Sequence, residues 1–567
     1  MPKDYSELSK EDLLKVISKL ETRKKYGLIW DEEQTKEQFE EESVNALPIL
    51  KAVKNKEIDA NLNAPTNVLI EGDNYHALSV LNYTHQGRID LIFIDPPYNT
   101  GNKTWKYNNS YVDREDTYRH SKWLSFMKKR LRLAKNLLKD DGIIVVTIDD
   151  YEVFQLGMLM DEIFGEGNRL ANVAVVNKKS GRTTDRFFAT CHEYYLFYAK
   201  NASLSTIEMF SLTKEDEAEY KYEDKVSRYK WRDFLRTGGF STPKERPNSY
   251  YPIYFHPKSG AISTEKAKGL VEIFPIDSKG NKRVWRQTIP SLNQLIQQND
   301  IKVEKNRSDT YCVRIKDRVK IGFKPKTVWD DPRYDAASHG TKLLEAILKK
   351  AKVFDFPKSL YAVVDALRVT VKSKKEAIVL DFFAGSGTTG HALLLLNKED
   401  GGTRKFILCT NNENGIAEEV CYPRLKKAIC GHESFPDITG VEANLKYFKT
   451  AFVKKTASRD TLRMRITQEC TEMLCLREGI FEEKKRTNDY RIFEGNGRVM
   501  GVYYSLSHGE LKALKKDLDK ASGRKILYCF TLDPLGLDKN DFQDWGGVSL
   551  EPIPQKILDV YEEIYEY

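Results

Sequence analysis

The sequence predicts an α/β protein whose core is a parallel, doubly wound sheet. Short apolar runs alternate with amphipathic segments over residues 63–200 and again over 336–454, which is the pattern of strands that alternate with helices. In addition, one apolar run ends in the glycine-rich stretch AGSGTTGH and continues as a helical segment. This strand–turn–helix arrangement is typical of a ligand-binding loop in this fold class.

The composition indicates a large protein made of several domains. The chain has 567 residues, too many for one hydrophobic core, and 40% of them are hydrophobic and 31% charged. No stretch approaches the roughly 18 apolar residues of a membrane span, and the N-terminus is too charged for a signal peptide. We therefore expect a cytoplasmic protein without a membrane segment. Eight scattered cysteines without a C-x-x-C pair predict neither disulfides nor a metal site.

The first two segments of the chain differ in charge content and in the pattern of their apolar residues. Residues 1–62 are strongly charged and predict an N-terminal helical arm. Within residues 63–200, apolar runs at 68–70, 91–94 and 143–148 predict strands, and residues 119–138 predict a helix.

The remaining three segments follow in order. Residues 201–335 interleave basic and aromatic residues, which favours a nucleic-acid contact, with a basic solvated surface as the alternative. The α/β pattern returns over residues 336–454. Residues 455–567 are charged and mostly helical, and they end in a strand, helix, strand pattern that predicts a small separate C-terminal domain. We expect this segment to serve dimerisation.

The stretch LIFIDPPYNT places an unusual loop at the end of a buried strand. Prolines cannot donate to a ladder, so the strand over residues 91–94 must stop before Asp95, Pro96, Pro97 and Tyr98. The loop suits transfer of a group to the exocyclic amine of a nucleobase. A carboxylate and a rigid proline carbonyl would accept the two N–H bonds and localise the nitrogen lone pair, while Tyr98 would stack on a flipped base. A strand-ending turn with a solvated acid explains each residue singly but not the four together.

The second loop is VLDFFAGSGTTGH. The glycines Gly385, Gly387 and Gly390 let a ligand approach the backbone at a helix start, and this spacing also fits a dinucleotide fingerprint. Two features favour a nucleoside with an amino-acid tail, such as S-adenosylmethionine, over NAD. Asp381 precedes the glycines, where it can meet an ammonium group or a ribose, and Phe382 and Phe383 follow as apolar walls.

Together the two loops resemble a known family. D-P-P-Y with a downstream D-x-F-A-G-S-G-T is the signature of amino-group DNA methyltransferases, and D-P-P-Y is usual for transfer to N6 of adenine. The first loop precedes the second by 286 residues (381 − 95) with a basic segment between them, which is the permuted β-class order. Stretches such as GDNYHAL, HEYYLFYAKN and FDFPKS further resemble the modification subunit of type III restriction–modification systems.

This resemblance implies a Rossmann-like, S-adenosylmethionine-dependent methyltransferase fold with an inserted target-recognition domain. It implies catalytic and donor-binding halves at 63–200 and 336–454, recognition of double-stranded DNA by 201–335, a homodimer, and a restriction helicase–nuclease partner. The target adenine would be held by Asp95, Pro96 and Tyr98, with Pro97 shaping the loop. The implied donor-binding residues are Asp73, Thr341, Lys342, Asp381, Phe382, Ala384, Gly385, Ser386, Gly387 and Thr388.

Several alternatives stay open at this point. Asp73 could instead cap a helix, and Thr341 and Lys342 could simply begin one. The family often binds the donor ribose with a Glu at the end of the strand after the glycine loop, whereas here Thr410 holds that position and Glu413 is the nearest acid. The rival functions are a solitary or type II adenine methyltransferase, cytosine-N4 transfer, a non-catalytic DNA-specificity subunit, and an NAD-dependent oxidoreductase.

Overall fold

The computed structural model describes residues 9, 10, 13, 28, 30, 37, 45–61, 64–107, 110–113, 115–306, 309–456, 458–533, 536–537 and 539–565. The chain divides into two compact units. The first unit comprises Met1–Glu208 and Lys326–Tyr567, and the second unit comprises Met209–Pro325. None of the helices in the described ranges is both long and apolar enough to cross a bilayer.

The elements of the first unit before residue 209 are the strands β1 (Ala46–Ala52), β2 (Thr66–Glu71), β3 (Ile89–Ile94), β4 (Asn102–Tyr107), β5 (Ser110–Asp113), β6 (Leu138–Ile148), β7 (Arg169–Val176) and β8 (His192–Ala199), and the helices α1 (Asn74–Thr84), α2 (Arg119–Leu137) and α3 (Val153–Phe164).

The second unit contains the strands β9 (Tyr222–Glu223), β10 (Arg228–Asp233), β11 (Leu235–Arg236), β12 (Ile253–Phe255), β13 (Ile262–Ser263), β14 (Val271–Ile273), β15 (Val284–Trp285), β16 (Ile301–Lys305) and β17 (Tyr311–Arg318), and the helices α4 (Lys214–Ala218) and α5 (Ile289–Gln297).

The first unit continues with the strands β18 (Val328–Trp329), β19 (Ile378–Asp381), β20 (Lys405–Thr410), β21 (Asn444–Lys454), β22 (Glu482–Arg486), β23 (Tyr490–Gly495), β24 (Arg498–Tyr503), β25 (Arg524–Phe530) and β26 (Val548–Ile553), and the helices α6 (Leu343–Leu348), α7 (Leu360–Val371), α8 (Thr388–Asp400), α9 (Tyr422–Cys430), α10 (Arg459–Glu469), α11 (Thr471–Glu478), α12 (Leu511–Lys520) and α13 (Gln555–Tyr565). Two π-helical segments, Ala337–Lys342 and Ile416–Cys421, lead into α6 and α9.

The main sheet of the first unit confirms the predicted parallel core. Its ten described strands run in the order β1-β21-β2-β20-β19-β3-β6-β8-β7-β18. The pairs from β21 to β6 are all parallel, whereas β1, β8 and β7 add antiparallel pairs at the two sides. Strands β3 and β19 are neighbours although their sequences lie far apart. The loops at their carboxyl ends therefore meet at one edge of the sheet, hereafter the carboxyl edge.

The predicted elements before residue 150 are largely confirmed, with two differences. Helix α2 ends at Leu137 and strand β6 begins at the next residue, so the strand starts five residues before the predicted run 143–148. The predicted helical arm, residues 1–62, lies mostly outside the described residues, but residues 46–52 form the strand β1. This segment, ALPILKA, extends because it pairs antiparallel with β21 at the side of the sheet.

Residues 455–567 contain the predicted strand, helix, strand pattern as β24, α12 and β25, within a five-stranded sheet. They do not separate as a unit of their own. One continuous apolar core contains Leu81 of α1, Leu474 of α11 and Tyr561 of α13, and the Tyr561 hydroxyl donates to the carbonyl of Pro48 in β1. Burial of apolar surface between the two sheets joins them into one folding unit.

The second unit lies inside the predicted 201–335 segment and has its own apolar core around Phe234, Ile253 and Trp285. Its largest sheet has the order β16-β17-β10-β9. The unit carries 24 Lys and Arg against 15 Asp and Glu, a net charge of +9 (24 − 15), while the whole chain carries +8. The remainder of the protein therefore has a net charge of −1 (8 − 9), and the positive excess is concentrated in this unit.

Candidate active site

Strand β3 delivers the DPPY loop to the carboxyl edge. All six residues of the strand are buried, and the loop begins directly after Ile94 because Pro96 cannot continue the ladder. The loop is fixed from behind, since the indole of the fully buried Trp123 donates to the carbonyl of Pro97 at 2.6 Å. In the part of the chain that the structure describes, no donor is bound to the carbonyl of Pro96. That carbonyl and the Asp95 carboxylate are the acceptors the loop offers.

The Asp95 carboxylate belongs to a compact network. Its Oδ1 accepts a hydrogen bond from the Thr147 hydroxyl at 2.6 Å and lies 3.0 Å from the ammonium nitrogen of Lys358. The same ammonium group lies 2.7 Å from Oε2 of Glu193, and it donates to the Tyr98 hydroxyl at 2.5 Å. Tyr98 in turn donates to Glu193 at 2.8 Å. One lysine therefore bridges two carboxylates and the loop tyrosine.

The charges of this network determine its protonation. Burial opposes the charged form of Lys358, but the carboxylates of Asp95 and Glu193 outweigh it and raise the pKa of the lysine above its ordinary value. Burial, followed by the same two carboxylates, raises the pKa of Tyr98 well above its ordinary value, so the phenol keeps its proton and donates it. The cationic Lys358 therefore lies between the carboxylates of Asp95 and Glu193 and holds both of them beside Tyr98.

Sequence reasoning assigned no role to Thr147, Glu193 or Lys358. Glu193 and Lys358 stand in the stretches HEYYLFYAKN and FDFPKS, so a signal for them was present without a role attached to it. The structure also shows how the lysine contacts the ring of Tyr98. Its nitrogen lies 4.5 Å from the ring centroid, so one face of the predicted stacking platform is occupied by a cation.

A second buried group supports the loop from its far end. Asn99, which follows Tyr98, adopts a left-handed conformation with φ of 54° and donates to Oε1 of Glu152. The same oxygen lies 2.6 Å from Nδ1 of His120, and the Glu152 side chain is fully buried. Burial raises the pKa of Glu152 to about 8, although the Asn99 amide lowers it in part. This glutamate is therefore largely protonated at neutral pH.

The glycine loop lies between β19 and α8, beside the DPPY loop. Gly385 and Gly387 have φ values of +50° and +78°, in the left-handed region that favours glycine. A Cβ atom on Gly385 would lie 3.0 Å from the ring of Phe354, and one on Gly387 would lie 3.0 Å from Sγ of Cys421. The loop is therefore a close-packed turn with no room for side chains, and the N-terminus of α8 follows it.

Asp381 is buried at the end of β19 and is tied to the loop that it precedes. Its carboxylate accepts from the backbone N–H of Phe383 at 2.9 Å and from the Thr389 hydroxyl at 2.6 Å. Burial raises the pKa of Asp381 to about 7, with the two hydrogen bonds opposing it and the nearby charge of Asp95 adding to it. The acid is thus poised between its neutral and charged forms at neutral pH.

Arg424 supports the glycine loop from α9 and was not foreseen from the sequence. Its fully buried guanidinium donates to the Thr388 hydroxyl at 2.7 Å and to the Ser386 hydroxyl at 3.1 Å. Burial lowers the pKa of Arg424 to about 10, which leaves it charged at neutral pH. Within the described residues, its partners are hydroxyls, a carbonyl and the ring of His391, none of them a carboxylate. The cation therefore adds to the positive potential at the start of α8.

The other predicted donor residues occupy different surroundings. Asp73 caps α1, because its carboxylate accepts from the backbone N–H of Tyr75 at 2.7 Å, and its side chain is 46% exposed. The next residue, Asn74, donates to the carbonyl of Phe382 at 2.9 Å and so links this turn to the glycine loop. Asp73 can therefore cap a helix and still face a donor.

Thr341 and Lys342 lie in the π-helical segment before α6. Lys342 lines a cavity of about 430 Å³ together with His339, Tyr361 and Phe435, and no residue of 381–388 lines that cavity. A donor role for Thr341 and Lys342 stays a prediction. So does the ribose contact: Thr410 ends β20, and Glu413 begins the short helix that follows.

The chain is similar to known proteins, of which three are described here. The type II methyltransferase M.KpnI of Klebsiella pneumoniae is 36% identical over 371 residues, which cover 64% of this chain and 84% of that protein. The EcoPI modification subunit of Escherichia phage P1, a type III restriction–modification enzyme, is 32% identical over 61% of this chain and 58% of its own length. The type III StyLTI modification subunit of Salmonella typhimurium is 32% identical, with 68% and 59% covered. The chain thus spans just under three fifths of these two modification subunits.

A family match covers both loops and the segment between them. Residues 89–452, more than half of the chain, match the family described as DNA methylase. The match confirms the predicted α/β methyltransferase fold, the predicted DNA methyltransferase activity, and S-adenosylmethionine as the cofactor. It also confirms the family resemblance that the DPPY and glycine loops indicated. On this match and on the geometry of its two loops, the chain belongs to the DNA methylase family.

Proposed function

We propose that this protein transfers a methyl group from S-adenosylmethionine to N6 of an adenine flipped out of double-stranded DNA, as the modification subunit of a type III restriction–modification system. One observation carries the proposal: the Asp95 carboxylate and the Pro96 carbonyl lie at the end of β3, beside the glycine loop at the end of the adjacent strand β19. Acceptors for an amine and a cradle for a nucleoside thus occupy one edge of the sheet.

The chemistry requires a poor nucleophile to be activated. The exocyclic amine of adenine is weakly nucleophilic because its lone pair is delocalised into the ring. Asp95 and the Pro96 carbonyl would accept its two N–H bonds and localise that pair on the nitrogen. Thr147 and Lys358 hold the Asp95 carboxylate in place, and Trp123 fixes the loop, so the acceptors are oriented before the base arrives.

The donor site fits S-adenosylmethionine. The glycine turn presents backbone without side chains at the start of α8, Phe383 provides an apolar wall that is only partly buried, and the backbone N–H of Phe383 is bound by the acid Asp381. When bound, the donor supplies an electrophilic methyl group: the amine lone pair forms the N–C bond while the S–C bond breaks and its electron pair stays on sulfur. The amine nitrogen thereby becomes cationic, and the Asp95 carboxylate is placed to accept its proton.

Lys358 and Glu193 support this centre. The ammonium group of Lys358 lies between the carboxylates of Asp95 and Glu193 and holds both of them in place. Lys358 also touches the ring of Tyr98, so an incoming base would stack on the opposite face of that ring or displace the ammonium group.

Recognition of DNA is proposed for the second unit. Its net charge of +9 suits a polyanion, and several of its cations lie over aromatic rings, such as Lys302 over Trp231 at 4.5 Å and Lys316 over Tyr229 at 4.6 Å.

The type III assignment is supported by similarity to modification subunits. With this assignment we also propose a homodimer, a restriction helicase–nuclease partner and a cytoplasmic location. The similarity to M.KpnI keeps a type II enzyme as the second candidate.

The test is methyl transfer from labelled S-adenosylmethionine to unmethylated bacterial DNA, followed by single-molecule sequencing. We expect N6-methyladenine on one strand of one short asymmetric motif. Modification of both strands would support a type II enzyme instead. Binding of S-adenosylmethionine without incorporation of methyl groups into DNA would contradict catalysis by this chain alone. The proposed assemblies are tested by light scattering of the purified protein, with and without a co-expressed nuclease subunit.

A further inference from the structure

The loop between β7 and β8, residues 177–191, lies at the carboxyl edge beside the catalytic network. Strand β8 runs antiparallel to β6, so its first residues pair with the end of β6, where Thr147 lies. Strand β7 pairs with β8 so that Val176 lies opposite His192. The loop therefore ends two residues before Glu193, the residue that binds Lys358 and Tyr98.

The β7–β8 loop is an ordered projection. The backbone N–H of Arg182 donates to the carbonyl of Thr190 at 2.9 Å, and the carboxylate of Asp185 accepts from the N–H of Thr190 at 2.9 Å. Gly181 turns the chain with φ of +71°, and a Cβ there would lie 2.7 Å from that of Ala189. The residues at its tip are thus held by the loop itself.

The loop combines two exposed aromatic rings with four exposed cations. Phe187 and Phe188 are 83% and 91% exposed, so neither contributes to the core. The loop carries Lys178, Lys179, Arg182 and Arg186 against the single acid Asp185, a net charge of +3 (4 − 1), and all four cations are exposed. Adjacent exposed phenylalanines mark a binding surface, and the surrounding charge indicates that its partner is an anion.

We propose that the β7–β8 loop enters double-stranded DNA at the target base. The cations would bind phosphates on either side, and Phe187 and Phe188 would insert into the base stack and occupy the space that the extruded adenine leaves. Phe187 and Phe188 would thus act as a wedge. Phe188 is five residues from Glu193, so at most about 17 Å of extended chain separates this wedge from the catalytic network. That span is less than the width of a duplex, and apolar wedges of this kind are a known means of unstacking bases.

This inference rests on the proposed function and adds a surface outside the second unit. A protein partner is the other class of macromolecule that exposed phenylalanines could bind. The observations favour DNA, because the loop carries four exposed cations, with Arg186 5.1 Å from the centroid of the Phe187 ring, and because the loop adjoins the network that would receive the flipped base.

The first test is the double substitution Phe187→Ala with Phe188→Ala in the full-length protein. The matched control is Leu506→Ala, an exposed apolar side chain between β24 and α12. We expect donor affinity to be unchanged and kcat/KM on the matched duplex to fall by about 10- to 100-fold, the range of lost base–aromatic stacking. A duplex with a mismatch at the target should restore most of the rate, because extrusion then costs less.

The outcomes separate the wedge from other roles. An equal fall of kcat/KM on matched and mismatched duplexes would refute the insertion of Phe187 and Phe188 into the base stack. A kcat/KM of the double variant equal to that of Leu506→Ala would refute it as well. A change in oligomeric state with unchanged DNA affinity would identify a protein interface and also overturn it. Fluorescence of 2-aminopurine at the target position should rise with the unsubstituted protein and much less with the double variant.

A second test measures DNA affinity against salt and does not require methyl transfer. Replacing Lys178, Lys179 and Arg182 with alanine should lower the affinity and reduce the salt dependence by up to three released counterions, whereas Lys512→Ala with Lys516→Ala on α12 should not. If the unsubstituted protein bound DNA through this loop but transferred no methyl group, the proposed function would fail while the DNA contact stood. Equal salt dependence in all variants would refute the contact itself.

Discussion

Lys358 offers the sharpest test of the catalytic network, through the substitution Lys358→Met. The ammonium group lies 3.0 Å from Asp95 and 2.7 Å from Glu193, with the lysine side chain 11% exposed. At an effective dielectric constant of about 20, each attraction is about 5–6 kcal/mol before the cost of burying the ammonium group is subtracted. Removing one partner of such a buried pair lowers the free energy of unfolding by about 3–5 kcal/mol.

The catalytic consequence is a loss of rate. Lys358 holds the Asp95 carboxylate and the Tyr98 hydroxyl in place, so both groups should shift when the ammonium group is removed. Because a misplacement of about 1 Å can cost about 100-fold in rate, we expect kcat to fall by about that factor while the affinity for S-adenosylmethionine is unchanged.

The assay is methyl transfer to duplex DNA, with S-adenosylmethionine binding and thermal melting as controls for folding. Lys358→Arg keeps the charge and can still donate hydrogen bonds, so its kcat should fall less than that of Lys358→Met. A kcat of Lys358→Met equal to that of the unsubstituted protein would refute the positioning role of Lys358, whatever the effect on stability.

Three further predictions address the two loops. Asp95→Ala should abolish transfer while donor binding persists, because it removes the amine acceptor and leaves the glycine loop intact; residual transfer would disprove the role. Gly385→Val should abolish donor binding, since the new side chain meets Phe354 at 3.0 Å and the φ of +50° is strained, as calorimetry with S-adenosylmethionine would show. Glu152 has a folded-state pKa of about 8 against an ordinary 4.5, so its contribution to stability is present at low pH and is lost as pH rises through about 8. Glu152→Gln mimics the protonated acid and retains an acceptor for Asn99, so its melting temperature relative to the unsubstituted protein should rise between pH 5 and pH 9; a constant difference would contradict the assignment.

Much of the fold and the centre of both loops could be read from the sequence because their signals are local. Pro96 cannot continue a strand, whatever lies around it, so the end of β3 follows from the residues themselves. The glycine turn is equally local, since Gly385 and Gly387 adopt left-handed conformations that other residues avoid. The apolar runs of β2, β3 and β6 likewise predict buried strands without knowledge of their partners.

Other features depended on long-range packing. The sequence around residues 46–52 favoured an extension of a charged arm, but pairing with β21 decided that it is a strand. The C-terminal segment has the pattern of a separate domain, yet apolar contacts between α11, α13 and α1 join it to the main sheet. Such choices follow from which surfaces meet, and periodicity along one segment does not contain that information.

By itself, the sequence determined the chemistry that each loop can offer: an acid with a rigid carbonyl in one, and a side-chain-free turn in the other. Only the tertiary structure decided what surrounds them. Lys358 and Glu193 are distant from Asp95 along the chain, and they meet it because parallel pairing brings the ends of β3, β6 and β19 to one edge, where β8 also begins. An ion pair depends on separation in space, and a short-range sequence pattern records none.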